Sequence, residues 1–162
     1  MVNANDDKAG ESRPPSLADL TTLCRLLNQS RVEYIVIGGM AMIEAGYVRA
    51  TEDIDLLVEA SQANQQRIRS ALMELPDQAI REVTEGDFKR YAVIRVADEF
   101  VVDLMTSACG VQYPEAKASI TYREIESVRI PFASPSLLWK LKQTRREKDN
   151  LDLLFLKELL KK

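Results

Sequence analysis

Three aspartates and a glycine pair are the residues of this chain whose types and spacing could do chemistry. Asp53 and Asp55 flank Ile54 at the start of an apolar run that ends at Val58. Along a strand side chains alternate faces, so these two carboxylates point one way while Ile54, Leu56 and Val58 point the other, into a core. Their Cα atoms then lie roughly 6.6 Å apart, at about 3.3 Å of rise per residue. That gap suits two carboxylates gripping one hard divalent cation between them. Asp103 stands alone in the strongly apolar run 100–105, on a face with Val101 and Met105. An unpaired buried charge is costly. A metal site shared with Asp53 and Asp55 would explain it, and so would an edge or solvent-facing position. From the strand pattern both stand open.

Gly38-Gly39 follows the apolar run 34–37 and precedes a helix-compatible segment. Glycines placed there let backbone N–H groups approach a phosphate, helped by a helix N-terminus; a plain turn is the bland alternative. The pair is neither a Walker loop, since no Gly-Lys-Ser/Thr follows, nor a G-x-G-x-x-G dinucleotide fingerprint.

Composition removes other chemistries. The chain has 162 residues, no histidine and two cysteines, with a net charge of −3. Without histidine there is no Ser-His or Cys-His nucleophile pair and no imidazole base or metal ligand. Cys24 and Cys109 stand far apart, which argues against zinc and suits a reducing cytoplasm; Cys24 reads as a small core residue. The charge gives no global basic field to draw in nucleic acid. What remains is carboxylates, Lys/Arg, hydroxyls and oxygen-bound metals. No apolar run reaches membrane-spanning length.

These residues need elements to position them. Residues 1–15 are polar and proline-containing and read as a disordered tail without the apolar core of a secretory leader. Ser16 caps a helix to residue 29, with leucines at helical spacing. A strand over 33–37, a short helix over 40–45 ended by Gly46, and a strand over 53–59 follow. Ser61 caps a helix to 74, stopped by Pro76. Strands are expected over 79–83 and 89–96, with Asp98-Glu99 turning the chain into 100–105. Residues 109–118 read as irregular or weakly helical, with short strands over 120–122 and 128–132. Ser134 or Ser136, with Pro135, starts a C-terminal helical region with a bend over 146–150, whose apolar face is Leu137, Leu138, Leu141, Leu151, Leu154, Phe155 and Leu159. That face could close a core or a dimer. The fold class is α/β (α+β): a small mixed twisted sheet with flanking helices over 16–133 and a helical extension over 134–162.

The glycine pair and the Asp-x-Asp together resemble the nucleotidyltransferase superfamily, the DNA polymerase β-like group. Its pattern is a strand, Gly-Gly or Gly-Ser, a short helix, Asp-x-Asp/Glu on the next strand and a third carboxylate on a later one. The stretch GGMAMIEAGYVRATEDIDLLV is most similar to bacterial minimal nucleotidyltransferases and AbiEii-like abortive-infection toxins, with Arg49, Thr51, Asp53, Ile54 and Asp55 matching their Arg-x-Thr-x-Asp-hydrophobic-Asp. WKLKQTRREKDNLDLLFL resembles the Lys-rich helix and Lys-Asp-x-x-Asp end of the same families.

The resemblance implies Mg²⁺-dependent transfer of a nucleoside monophosphate from an NTP to an acceptor hydroxyl. Two Mg²⁺ ions, or Mn²⁺, would be held by Asp53, Asp55 and Asp103, with Asp103 also orienting the acceptor hydroxyl. Gly38 and Gly39 would face the phosphates. Arg49 could reach them, or pair with Glu44 or Glu52; Thr51 reads as a backbone-capping hydroxyl. Of the basic run, Lys140 and Lys142 are the phosphate candidates, and Asp149 and Asp152 read as part of a surface ion-pair network. The acceptor could be RNA, a protein or a small molecule such as an aminoglycoside. The rival is a non-catalytic nucleotide- or partner-binding module, and either could be half of a toxin–antitoxin pair.

Overall fold

The computed structural model describes Val2–Ala4 and residues 12–162. Among the described residues a seven-stranded mixed sheet runs in the order β1-β4-β5-β3-β2-β9-β8. Its strands are β1 Val2–Ala4, β2 Tyr34–Ile37, β3 Asp53–Val58, β4 Ile94–Ala97, β5 Val101–Met105, β8 Ile120–Ile125 and β9 Val128–Ala133. Strands β6 Ser107–Ala108 and β7 Val111–Gln112 form a separate small hairpin. The helices are α1 Leu17–Gln29, α2 Gly38–Glu44, α3 Gln62–Leu72, α4 Asp87–Arg90, α5 Tyr113–Ala116, α6 Pro135–Leu141 and α7 Glu147–Leu160.

Strand β3 is central. It pairs antiparallel with β2 and parallel with β5. Ile54, Leu56, Leu57 and Val58 are fully buried, so both faces of β3 are covered beyond Asp55. Full burial of each such side chain contributes roughly 1.5–3 kcal/mol. The parallel β3–β5 pair needs a long crossover, and α3 lies within it. Ser61 caps α3 by accepting from the Asn64 N–H. Ser16 and Asp19 form a capping box on α1, which packs against α3 and β9. Cys24 is wholly buried on α1, and burial pushes its thiol up to about 12, as befits a core residue.

Several elements differ from expectation. Of the segment read as a disordered tail, Val2–Ala4 pair parallel with β4, and residues 5–11 lie outside the described residues. Arg13 bridges Asp19 and Glu99, and the Ser12 hydroxyl donates to the Asp98 carbonyl at 2.7 Å. The strand expected over 79–83 is a 3-10 turn, Ala79–Glu82, and the first part of 89–96 ends α4 instead. For the turn at Ala79–Glu82 the cause is Asp98, only 2% exposed, whose carboxylate accepts from the N–H groups of Asp77, Ala79 and Glu99 at 2.8–2.9 Å. Those N–H groups turn toward one acceptor rather than a neighbouring strand. Asp98→Ala leaves them without this partner and should cost about 1–3 kcal/mol, read as a fall in the urea midpoint at unchanged slope.

The C-terminal region departs most. Ser134 caps α6 with Pro135 in its first turn, and the break falls earlier than expected, between Leu141 and Glu147. The apolar face was expected to run through Leu151 and Leu154, but these are 56% and 61% exposed. The inward face of α7 is Asp149, Asp152 and Leu156. No helix among the described residues is long and apolar enough to cross a membrane.

Candidate functional site

The register of three strands builds the site. Asp55 stands opposite Asp103 across β3 and β5, and Asp103 opposite Arg95 across β5 and β4. Residues in register share a face, so one row carries Arg95, Asp103 and Asp55, with Asp53 two residues back on the same face. Carboxylate oxygens of Asp53, Asp55 and Asp103 all lie within 4.8 Å of one another. The edge or solvent-facing alternative for Asp103 is thereby removed: it sits on an interior strand, 5% exposed.

Ile37 stands opposite Asp55 on β2, so the glycine pair starts α2 directly beside the triad. Gly38 has φ +68°, and a Cβ there would meet Asp55 Oδ2 at 2.0 Å. A Cβ on Gly39 would meet Thr51 Oγ1 at 2.5 Å. The backbone therefore approaches the carboxylates as closely as only glycine permits. The Thr51 hydroxyl donates to the Asp53 carbonyl at 3.0 Å, the backbone role expected of it.

Like charges crowded in a half-dry site resist ionisation. Burial pushes the Asp55 carboxyl well above the ordinary range, and the charges of Asp53 and Asp103 add to the rise. Burial, then Asp103, also raises Asp53, against the opposing charges of Arg95 and Lys148. An all-oxygen cluster of three carboxylates fits a hard divalent cation, which would offset their crowded charge.

Arg95 was not foreseen at this site. Its Nε donates to Asp103 Oδ1 at 3.0 Å, and its Nη2 donates to Asp103 Oδ2 at 3.1 Å and Asp53 Oδ2 at 3.3 Å. No local signal pointed to it, because the hairpin turn read from the sequence puts Val102 opposite Arg95, whereas the observed register puts Asp103 there.

Beside the triad lies a cleft of about 440 Å³ lined by Gly39, Arg49, Thr51, Lys142, Arg146 and Lys148, among others. Lys140 is exposed on α6 and does not line it; its neighbour Lys142 does and is buried. Lys142 Nζ lies 2.8 Å from Asp152 Oδ2 and 3.3 Å from Asp149 Oδ1. Asp152 also accepts from Arg49 Nη1 at 2.7 Å, so Arg49 pairs with neither Glu44 nor Glu52. Asp149 accepts from the Thr144 hydroxyl at 2.5 Å and Arg146 Nε at 2.7 Å. Burial alone would raise the Asp149 carboxyl, but Thr144, Lys142 and Arg146 outweigh it and hold it low. The two acids were expected in a surface network; both are fully buried. They fasten three cations along the cleft wall. A second cleft, about 370 Å³, opens on the other side of the triad between Met105, Ser107, Ala108 and Leu141.

No family model and no curated protein sequence matches the chain. Solved structures do. A lincosamide antibiotic adenylyltransferase, LnuA, with lincomycin bound, matches with a TM-score of 0.60 at 19% identity, over 91% of this chain and 99% of that one. A Thermotoga maritima protein assigned as a nucleotidyltransferase matches at 0.53 and 17% identity, over 88% and 92%. An antigenic nucleotidyltransferase-like protein from Paracoccidioides brasiliensis matches at 0.52 and 14%, over 98% and 79%. A central mixed sheet, a glycine turn into a short helix and an acidic cluster on neighbouring strands thus sit in a chain that has the nucleotidyltransferase fold.

Proposed function

We propose that this protein is a divalent-metal-dependent nucleotidyltransferase that moves a nucleoside monophosphate from an NTP to a hydroxyl, releasing pyrophosphate. The observation that carries this reading is the convergence of Asp53, Asp55 and Asp103 beside Gly38-Gly39. Bound Mg²⁺ would offset phosphate charge and polarise the reacting oxygens; Asp53, Asp55 and Asp103 are the residues that would hold it.

The cleft wall of Lys142, Arg146 and Lys148, with Gly39 at its end, receives the triphosphate. Arg49 carries a buried Nε with no hydrogen-bond partner among the described residues, a donor left over for a phosphate oxygen. Asp103 faces the second cleft and orients the acceptor hydroxyl. That oxygen bonds to the α-phosphorus, the bond to the β-phosphate oxygen breaks, and a carboxylate oxygen of Asp103 takes the hydroxyl proton. Positioning and charge supply the rate.

A small-molecule acceptor is favoured over RNA or protein, because the second cleft is of small-molecule size, about 370 Å³, and part-apolar. The likeness to an adenylyltransferase solved with a lincosamide points the same way. Arg95, Lys142 and Arg146 line that cleft too, which disfavours a polycationic acceptor such as an aminoglycoside.

The test is incubation with α- or γ-labelled NTPs, Mg²⁺ and separate RNA, protein and small-molecule pools. Label should transfer from the α position only, into the small-molecule pool, and vanish with Asp53→Asn. NTP binding without consumption in any pool would instead leave a non-catalytic nucleotide-binding module. Label found in a protein copurifying from its own operon would support the toxin–antitoxin setting.

A further inference from the structure

Arg95 does more than line the site. Its three donor contacts engage both oxygens of Asp103 and one oxygen of Asp53. What remains clear of the guanidinium is Asp55 and the second oxygen of Asp53. A cation seated between Asp53 and Asp103 must share oxygens with Arg95 or displace it. The guanidinium is one positive charge set against three carboxylates whose oxygens cluster within 4.8 Å. It can be reached from solvent: its side chain is 34% exposed, against 6% for Asp103. It borders the second cleft and also a third, about 300 Å³, next to Ser12 and Pro14. It can therefore swing toward solvent once an incoming cation takes over the buried Asp103 carboxylate.

We propose that Arg95 is a built-in counter-cation of the carboxylate triad, a positioning residue that aligns Asp103 and sets the threshold for metal entry. This rests on the reading of the triad as a metal site. While Arg95 spans Asp53 and Asp103, a free divalent ion finds an incomplete and partly neutralised ligand set. An ion arriving with a triphosphate brings its own anionic oxygens and completes its shell without those two carboxylates giving up the arginine at once. The site therefore discriminates a metal–nucleotide complex from the bare ion. The same contacts hold Asp103 in the orientation it needs toward the acceptor.

Two effects of opposite sign follow on removing the guanidinium. Arg95→Met should bind free Mn²⁺, without nucleotide, about tenfold tighter or more. It should also transfer nucleotide about 10- to 100-fold more slowly, as loss of an orienting partner typically does. A merely structural role would weaken both. The measurement is a titration of free protein with Mn²⁺ followed by the paramagnetic resonance of the unbound ion, for wild type, Arg95→Met and Arg95→Gln. Melting curves with and without Mn²⁺ accompany it. If Arg95→Met folds only when Mn²⁺ is supplied, the same conclusion follows from the melting curves. If it does not fold at all, Arg95→Gln decides.

An affinity equal to or weaker than wild type in the folded variant overturns the proposal. Asp53→Asn separates this failure from failure of the metal-site reading. If Asp53→Asn loses Mn²⁺ uptake while the Arg95 variants gain nothing, only the role of Arg95 falls. If Asp53→Asn takes up Mn²⁺ like wild type, the metal site itself falls.

Discussion

Asp55→Asn should abolish nucleotide transfer, by roughly 10³-fold or more, while leaving the metal-free protein at least as stable at neutral pH. The two effects share one cause. Asp55 sits against the Gly38 backbone with Asp53 and Asp103 alongside, and its ionised form is disfavoured first by burial and then by those two charges. Asparagine keeps the shape and removes the charge. The sign can be followed through pH. A carboxyl whose pKa is raised on folding contributes stability that is fully present below its unfolded value. That contribution is lost as the pH rises through the raised folded value. The asparagine variant should lack this loss. Mg²⁺ supplied together with a non-hydrolysable NTP should raise the melting temperature of the wild type at neutral pH and leave Asp55→Asn nearly unmoved. Melting scans from acid to neutral pH, with Mg²⁺ and that NTP and with a chelator, check both. A variant that melts lower than wild type in chelator would show that Asp55 is held by partners the triad does not contain.

Asp152→Ala should be the most destabilising single change among the charged residues, by about 3–5 kcal/mol. A folded chain of this size loses about 2–4 °C of melting temperature per kcal/mol, so the fall is on the order of 10 °C. Asp152 is fully buried and lies between Lys142 and Arg49. Removing it leaves a buried lysine and a half-buried arginine with less compensation, and such a residue loses far more than the net worth of the ion pair. Lys142 keeps Asp149, so the loss should stop short of unfolding. Triphosphate affinity should fall with it, because Arg49 and Lys142 lose their anchor on the cleft wall. Asp149 works in the opposite pH direction to Asp55. Its partners outweigh burial and hold it low, so its contribution is present above the unfolded value and is lost as the pH falls through the folded one. Wild-type stability without metal should therefore pass through a maximum between acid and neutral pH.

What the chain reveals unfolded is tied to local periodicity. Alternation put Asp53 and Asp55 on one face of β3, and Ser16, Ser61 and Pro135 with Ser134 or Ser136 marked helix starts that the structure retains, Ser134 being the cap of the last. Each of those facts depends on neighbours within a few residues. Asp103 could be singled out as a charge in an apolar strand, but its company could not be chosen, since that depends on which strand lies beside β5.

Arg95 shows the limit most sharply. A two-residue turn at Asp98-Glu99 would pair Ala97 with Phe100 and put Val102 opposite Arg95. The structure pairs Ala97 with Val101 and so puts Asp103 there. A slip of one residue moves a side chain to the other face, and the longer turn is held by contacts from Asp77 and Ala79, distant in the chain. Helix α7 is the same lesson for helices. Its leucines lie on all sides, so no stripe selects an inward face. Lys142 and Arg49 make the selection by drawing Asp149 and Asp152 inward, leaving Leu151 and Leu154 in solvent. Local pattern determined which residues could do the chemistry. Only long-range pairing decided which charges offset one another, because the Coulomb energy of a carboxylate depends on distances in space that spacing along the chain does not set.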